Sequence, residues 1–251
     1  MLQRILLSAI GAGFCAGLLI AAVQHFTTTP LIVAAEAYEG SDGEPDHPAD
    51  ASLAPSFAPP AYVAIALSSE AATTDASEPW APADGLERAT VTSLATVLTG
   101  IGFALMLVAA MVLRGGPIDG RAGLLWGIAG FAAFGLAPAL GLPPELPGSA
   151  AAELLDRQVW WIATAAATAG GMWLMCFGGN WGGRAGGVAL IVLPHLIGAP
   201  HPHEFSSTVP AELSGHFAAA SLVVNAVFWS LLGWGAGTLY QRLEPDGAAG
   251  A

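Results

Sequence analysis

The sequence predicts an all-α integral membrane protein with about six transmembrane helices and one long disordered extracytoplasmic loop. Three observations predict it. Of the 251 residues, 54% are hydrophobic and only 10% charged, and the mean hydropathy is +0.61, which is the composition of a membrane protein. The apolar residues fall into runs of the length a bilayer requires. The acidic residues, by contrast, crowd into one stretch near the N-terminus that cannot bury a core of its own.

Residues 1–25 form the first predicted span. Met1 to Arg4 is short and basic, and Ile5 to Val23 carries no charge, close to the roughly 20 residues that cross a hydrocarbon core. The run is longer than the about 7 to 15 residues of a signal-peptide core, and Phe14 before Cys15 spoils a lipoprotein box, so it reads as a retained signal anchor. Residues 26–88 form the acidic extracytoplasmic loop. It holds eleven Asp or Glu between Glu36 and Glu87, with no base before Arg88. Pro48, Pro55, Pro59, Pro60, Pro79 and Pro82 interrupt any periodicity, and the one apolar patch, Ala61 to Leu67, is too short to span. Solvation is the plain reading of its charge.

Residues 89–240 form the remaining five-helix bundle, with apolar segments at Ala89 to Leu113, Ala122 to Leu140, Val159 to Phe177, Gly187 to Ile197 and His216 to Leu239. The segment from Gly187 is the shortest and reads as a short or re-entrant helix. Residues 241–251 are a tail. Glycines four apart at Gly13 and Gly17, Gly123 and Gly127, and Gly233 and Gly237 predict close helix–helix approach. Trp126, Trp160, Trp161, Trp173, Trp181, Trp229 and Trp234 mostly fall near segment ends, where interfacial anchors belong.

Orientation follows from arginine bias. With both termini cytoplasmic, Arg4, Arg114, Arg121, Arg184 and Arg242 lie inside and only Arg88 and Arg157 outside. Of the carboxylates, only Asp119, Glu244 and Asp246 are then inside. The chain has no lysine and a formal net charge of -12, which makes nucleic acid a very poor partner. It also excludes a P-loop and a Schiff-base enzyme. Cys15 and Cys176 lie inside apolar runs and form no disulfide framework; both read as small buried hydrophobes. Met172, Met175 and Cys176 share a soft helix face suited to Cu(I), a reading not adopted.

Chemistry concentrates in Pro194 to Glu204, which packs three of the six histidines into eleven residues. Pro200 and Pro202 bias their neighbours toward extended chain, so His201 and His203 share a side. In the predicted topology His195 ends the fifth helix on the outer face and His216 begins the sixth there, with Glu204 and Glu212 between them. His25 and His47 are outside too. A lone histidine is ordinarily a surface side chain without a ligand; clustering is what points to metal binding. The predicted metal ligands are His195, His201, His203, His216 and Glu204. The spacing is neither that of a zinc finger nor His-Glu-x-x-His. Nitrogen and oxygen donors without thiolate fit Co, Ni or Zn, among which affinity does not choose. Gln24, Thr164, Thr168, Ser221 and Asn225 are candidate lining groups for an ion path, or interhelical hydrogen-bonding groups.

Four stretches together resemble the CbtA-type predicted cobalt transporter subunits. They are Thr29-Pro30-Leu31-Ile32 with Ala35-Glu36 and Tyr38-Glu39; Pro138 to Gly148; Arg157-Gln158 with Trp160-Trp161; and Pro194 to Pro200. The resemblance implies a bacterial inner-membrane, multi-pass subunit of a cobalt uptake system linked to cobalamin metabolism. It implies no catalysis, no tightly bound cofactor beyond the transported cation, and a small histidine-bearing membrane partner of the CbtB type. The lipid bilayer is the other partner. Residues 40–88 carry none of these stretches and read as an insertion. The competing reading is a haem-binding membrane redox protein with His195 and His216 as axial ligands.

Overall fold

The computed structural model describes residues 1–39, 82–83, 85–202 and 207–244. Among them it is all-helical: α1 (Leu2–Thr27), α2 (Thr29–Glu39), α3 (Leu86–Arg114), α4 (Gly120–Ala139), α5 (Leu154–Phe177), α6 (Trp181–Ile197) and α7 (Ala211–Arg242). Helices α1, α3, α4, α5 and α7 are long and apolar enough to cross a bilayer, and α6 is a shorter apolar helix of 17 residues. At 1.5 Å per residue α6 measures about 25 Å, somewhat less than a hydrocarbon core of about 30 Å. It begins six residues before the predicted Gly187 because the Asn180 side chain caps it, accepting the Gly183 N–H at 2.7 Å.

Helix α2 lies inside the stretch expected to be loop. Thr28 keeps helical dihedrals and its N–H bonds the Gln24 carbonyl at 3.0 Å, and Pro30 occupies the first turn, where its missing N–H costs nothing. Ala35 is fully buried and joins Leu146, Val209 and Phe217 in a small apolar cluster at this end of the molecule. The expected disorder of the acidic loop concerns residues 40–81 and 84, which lie outside the described residues, as do 203–206 and 245–251.

The main core joins α1, α3 and α7 through Ala9, Ala12, Ala16, Phe103, Leu107, Trp229, Leu232 and their neighbours. Helix α3 packs on α1, α1 on α7, α7 on α4, α4 on α5 and α5 on α6. Glycine decides three of these contacts. Gly13 and Gly17 lie against the α3 backbone at Gly100, Ile101 and Val97, and a methyl on Gly123 would overlap the Gly233 carbonyl. Two of the predicted glycine pairs therefore pack on one another, α4 against α7. A further contact, Gly171 on Gly187, joins α5 to α6. Trp229 is not an interfacial anchor: it is fully buried, its ring 4.7 Å from Phe103 and stacked at 5.6 Å on Phe134. Cys15 and Cys176 are free and exposed, not buried.

At one end Arg4 ties α1 to α7. Its Nε donates to the Tyr240 carbonyl at 2.9 Å, its guanidinium lies 4.0 Å over the Tyr240 ring, and it pairs with Glu244 at 3.3 Å. Because packed neighbours run antiparallel, Arg114, Arg121, Arg184 and Arg242 share that end. Arg88 and Arg157 lie at the other. Two helices depart from regular α-helical hydrogen bonding near this second end. In α4 a π-helical turn spans Ala132–Leu136, with the Ala137 N–H reaching back to Ala132, and buried Pro138 follows. In α6, buried Pro194 sits inside the helix, leaving the Leu190 carbonyl without its usual donor.

Candidate functional site

The second end is where three distant stretches of sequence meet: the loop after α4, the first turns of α5 and the last turn of α6. The Ala137 carbonyl, just past the π-turn of α4, lies 3.1 Å from His195 Nε2, while Nδ1 lies 3.1 Å from the carbonyl of Ile191 on its own helix. The Trp160 ring meets His195 edge-on, with centroids 6.0 Å apart. Gly141 sits between Trp160 and Ala199, where an added methyl would come within 2.8 Å of the Ala199 side chain. Only glycine lets the loop pass here. Beyond it, Leu146 is 3% exposed in the cluster with Ala35 and Phe217, which pins the loop and fixes its neighbour Glu145.

Glu145 accepts a hydrogen bond from an Arg157 guanidinium nitrogen at 2.7 Å, each side chain about a quarter to a third exposed. Burial raises the Glu145 carboxyl above the ordinary range, and the Arg157 charge pulls it the other way. Arg88 and Glu36 form a second ion pair at this end, joining α3 to α2.

Of the predicted ligands, His195 is held on two carbonyls. A neutral imidazole has one N–H, so it bonds one of them at a time, and a ring nitrogen that took a cation would turn away from its carbonyl. His201 and His216 are exposed; His203 and Glu204 lie outside the described residues. Among the described residues no three His, Cys, Asp or Glu come together as a metal-holding group. Helices α6 and α7 do not pack on each other, so His195 and His216 do not flank a space between neighbouring helices as a bis-histidine haem requires.

The candidate lining groups divide. Ser221 is satisfied by the Phe217 carbonyl at 2.5 Å. Among the described residues Gln24 Oε1, Asn225 Oδ1, Thr164 Oγ1 and Thr168 Oγ1 are buried without a hydrogen-bond partner, and Asn225 lies beside Gly135 of the π-turn. Sequence reasoning missed Glu145 and the role of Arg157 and Trp160. Their signal was present, since all three lie in the stretches that carry the resemblance.

The CbtA family model, described as a probable cobalt transporter subunit, matches residues 2–241. The chain belongs to the CbtA family. The match takes in all seven helices. No curated protein and no solved structure matches the chain. Membership points to a subunit of a transporter, which implies a further component, and away from catalysis. The CbtA stretches Pro138 to Gly148, Arg157 to Trp161 and Pro194 to Pro200 are the three that converge on His195, Trp160 and Glu145.

Proposed function

We propose that this CbtA protein is the membrane subunit of a divalent-cation uptake system, with cobalt as cargo, in the cytoplasmic membrane of a bacterium. Both termini face the cytoplasm, because the arginine-rich end is the one retained there. The histidine-bearing end then faces outward, and His195, His201, His203, His216 and Glu204 capture the cation there. A small histidine-bearing partner of the CbtB type completes the transporter, and the imported metal serves cobalamin metabolism. The observation that carries this reading is the convergence of the stretches resembling CbtA at the end of the bundle where His195, His201 and His216 lie.

A dication entering a negative interior gains about 4.6 kcal/mol per 100 mV, at roughly 2.3 per charge, so uptake needs no ATPase. The test is radioactive cobalt uptake in cells expressing the full chain with its neighbouring transporter components. If His195, His201 and His203 share one ion, each alanine replacement lowers uptake by a similar factor. The triple replacement then costs little beyond the worst single one, since ligands of one site are strongly non-additive. Uptake in the triple variant equal to wild type would overturn the assignment of the histidines.

A further inference from the structure

Among the described residues the buried serine and threonine hydroxyls fall into two groups. Ser8, Thr28, Thr96 and Ser221 each bond back to a carbonyl of the preceding turn or the turn's edge. Thr164 and Thr168, 0% and 3% exposed, do not. Both lie on α5, and one turn above Thr164 the buried Trp160 Nε1 also lacks a partner. A polar group inside a membrane span is costly unless something polar meets it. Arg157, Trp160, Thr164 and Thr168 are spaced by three, four and four residues, which places them on one face of α5. That face runs about 16 Å from the ion pair at the helix start toward the middle of the span. At its head stands Glu145, the one carboxylate fixed between the loop after α4 and this face of α5.

We propose that the Glu145 carboxylate is the point at which a divalent cation passes from the outer loop into the membrane span. Arg157 is the counter-charge it displaces, and the Trp160–Thr164–Thr168 face is the polar track below. The proposal rests on the reading of the chain as a divalent-cation transporter subunit. Arg157 holds Glu145 neutral as a pair while no cation is present, and a dication outcompetes a single guanidinium charge for the same carboxylate. The displaced guanidinium has a second partner at hand. Glu153 lies four residues earlier on the same helical turn, its carbonyl accepting the Arg157 N–H at 3.1 Å, and its exposed carboxylate forms no ion pair among the described residues. A glutamate four residues before an arginine is the favourable order for such a pair. The track offers hydroxyl oxygens to the waters a cation carries, and no carboxylate deep enough to trap it.

The experiment measures cobalt uptake against external Co2+ concentration, per molecule of membrane-inserted full-length chain. Glu145→Gln keeps the shape and the acceptor oxygen but removes the charge, and raises the half-saturating Co2+ concentration by on the order of tenfold or more. Arg157→Gln removes the competitor and lowers that concentration, a shift that a merely structural ion pair would not produce. Thr164→Val with Thr168→Val preserves volume and lowers the maximal rate at unchanged half-saturation. Should a single variant fail to insert, Glu145→Gln combined with Arg157→Gln leaves no unpaired charge and is expected to show the weak concentration dependence of Glu145→Gln. Wild-type concentration dependence in that double variant, or in Glu145→Gln itself, would overturn the proposal and leave the transporter reading intact. Absence of cobalt uptake by the wild-type protein would instead overturn the transporter reading.

Discussion

Replacing Gly123 by alanine tests the seam that holds α4 to α7. A methyl there would overlap the Gly233 carbonyl and stand 3.0 Å from the Gly237 Cα, and the reciprocal methyl on Gly233 would meet Gly123 and Gly127. Every obstacle is backbone, so no side-chain rotation relieves the overlap, and the helices must part by roughly 1 Å to restore ordinary contact. A gap of about 0.5 to 1 Å forfeits about a quarter to a half of the attraction of each facing atom pair. The seam extends from Gly237 against Asp119 to Asn225 beside Gly135, so the loss is spread along most of α4 and reaches the stack of Phe134 on Trp229. Overpacking of this kind costs about 1–3 kcal/mol. Gly102→Ala is the control, because nothing lies within 4 Å of its added methyl and the change in helix propensity is the same, favouring alanine by up to about 1 kcal/mol. In a sodium dodecyl sulfate titration of the purified protein in mild detergent, followed by tryptophan fluorescence, Gly123→Ala lowers the unfolding midpoint and Gly102→Ala leaves or raises it. Adding Gly233→Ala to Gly123→Ala costs little more, since one separation accommodates both methyls. Equal shifts at positions 102 and 123, or strict additivity across the seam, would refute the reasoning.

Three further outcomes are expected. His195→Ala removes the side-chain contact to the Ala137 carbonyl across helices, which keeps the Leu140 N–H at 3.2 Å, and lowers the same midpoint by the equivalent of about 0.5–1.5 kcal/mol, that of one net hydrogen bond; an unchanged midpoint would show that this bond holds nothing. Because burial raises the Glu145 carboxyl in the folded protein, with Arg157 opposing, its stabilising contribution is full below the ordinary glutamate range, near about 4.3, and is lost as pH rises through the raised value. Glu145→Gln, uncharged throughout, should therefore gain on wild type in stability as pH rises through that window, and a difference that narrows instead contradicts the sign. Replacing residues 42–80 by a short Gly/Ser linker should leave the bundle inserted, since Ala35 in its apolar cluster and the Glu36–Arg88 pair hold the flanking ends; loss of membrane-inserted protein would show otherwise.

The spans were legible because a bilayer demands long apolar runs, and the glycine pairs because close approach demands small residues. What escaped depended on partners distant in sequence. Residues 29–39 read as the start of an acidic loop, yet Ala35 is buried there by Leu146 and Phe217, residues more than a hundred positions away. The start of α6 was masked by Gly182, Gly183, Gly186 and Gly187, whose weak helix propensity is offset by the Asn180 cap. Trp229 was grouped with surface tryptophans because residue type alone does not tell which face of a helix is inside. The histidines stood out by proximity in sequence. Glu145 did not, because its significance arises only when the loop that carries it folds onto the first turn of α5 and meets Arg157.

A driving force and a barrier are separate quantities, and the described spans supply only part of what the proposed route requires to lower the second. Every charged residue of the described spans lies near a helix end: Arg4 in α1; Glu87, Arg88 and Arg114 in α3; Arg121 in α4; Asp156 and Arg157 in α5; Arg184 in α6; Glu212 and Arg242 in α7. The membrane potential favours inward movement of a dication whatever the route. It does not remove the cost of placing that ion at the centre of the span, which for an uncompensated charge amounts to tens of kcal/mol. On the proposed route Thr164 and Thr168 would lower this cost by meeting hydration water, but neutral oxygens leave the charge uncompensated. For α5 to carry an ion past Thr168 on the proposed route, compensation must come from outside the described spans. The description of CbtA as a subunit would then have a physical counterpart: on the proposed route the entry end lies on this chain, and the negative or strongly dipolar groups of the inner half are expected on the component that joins it.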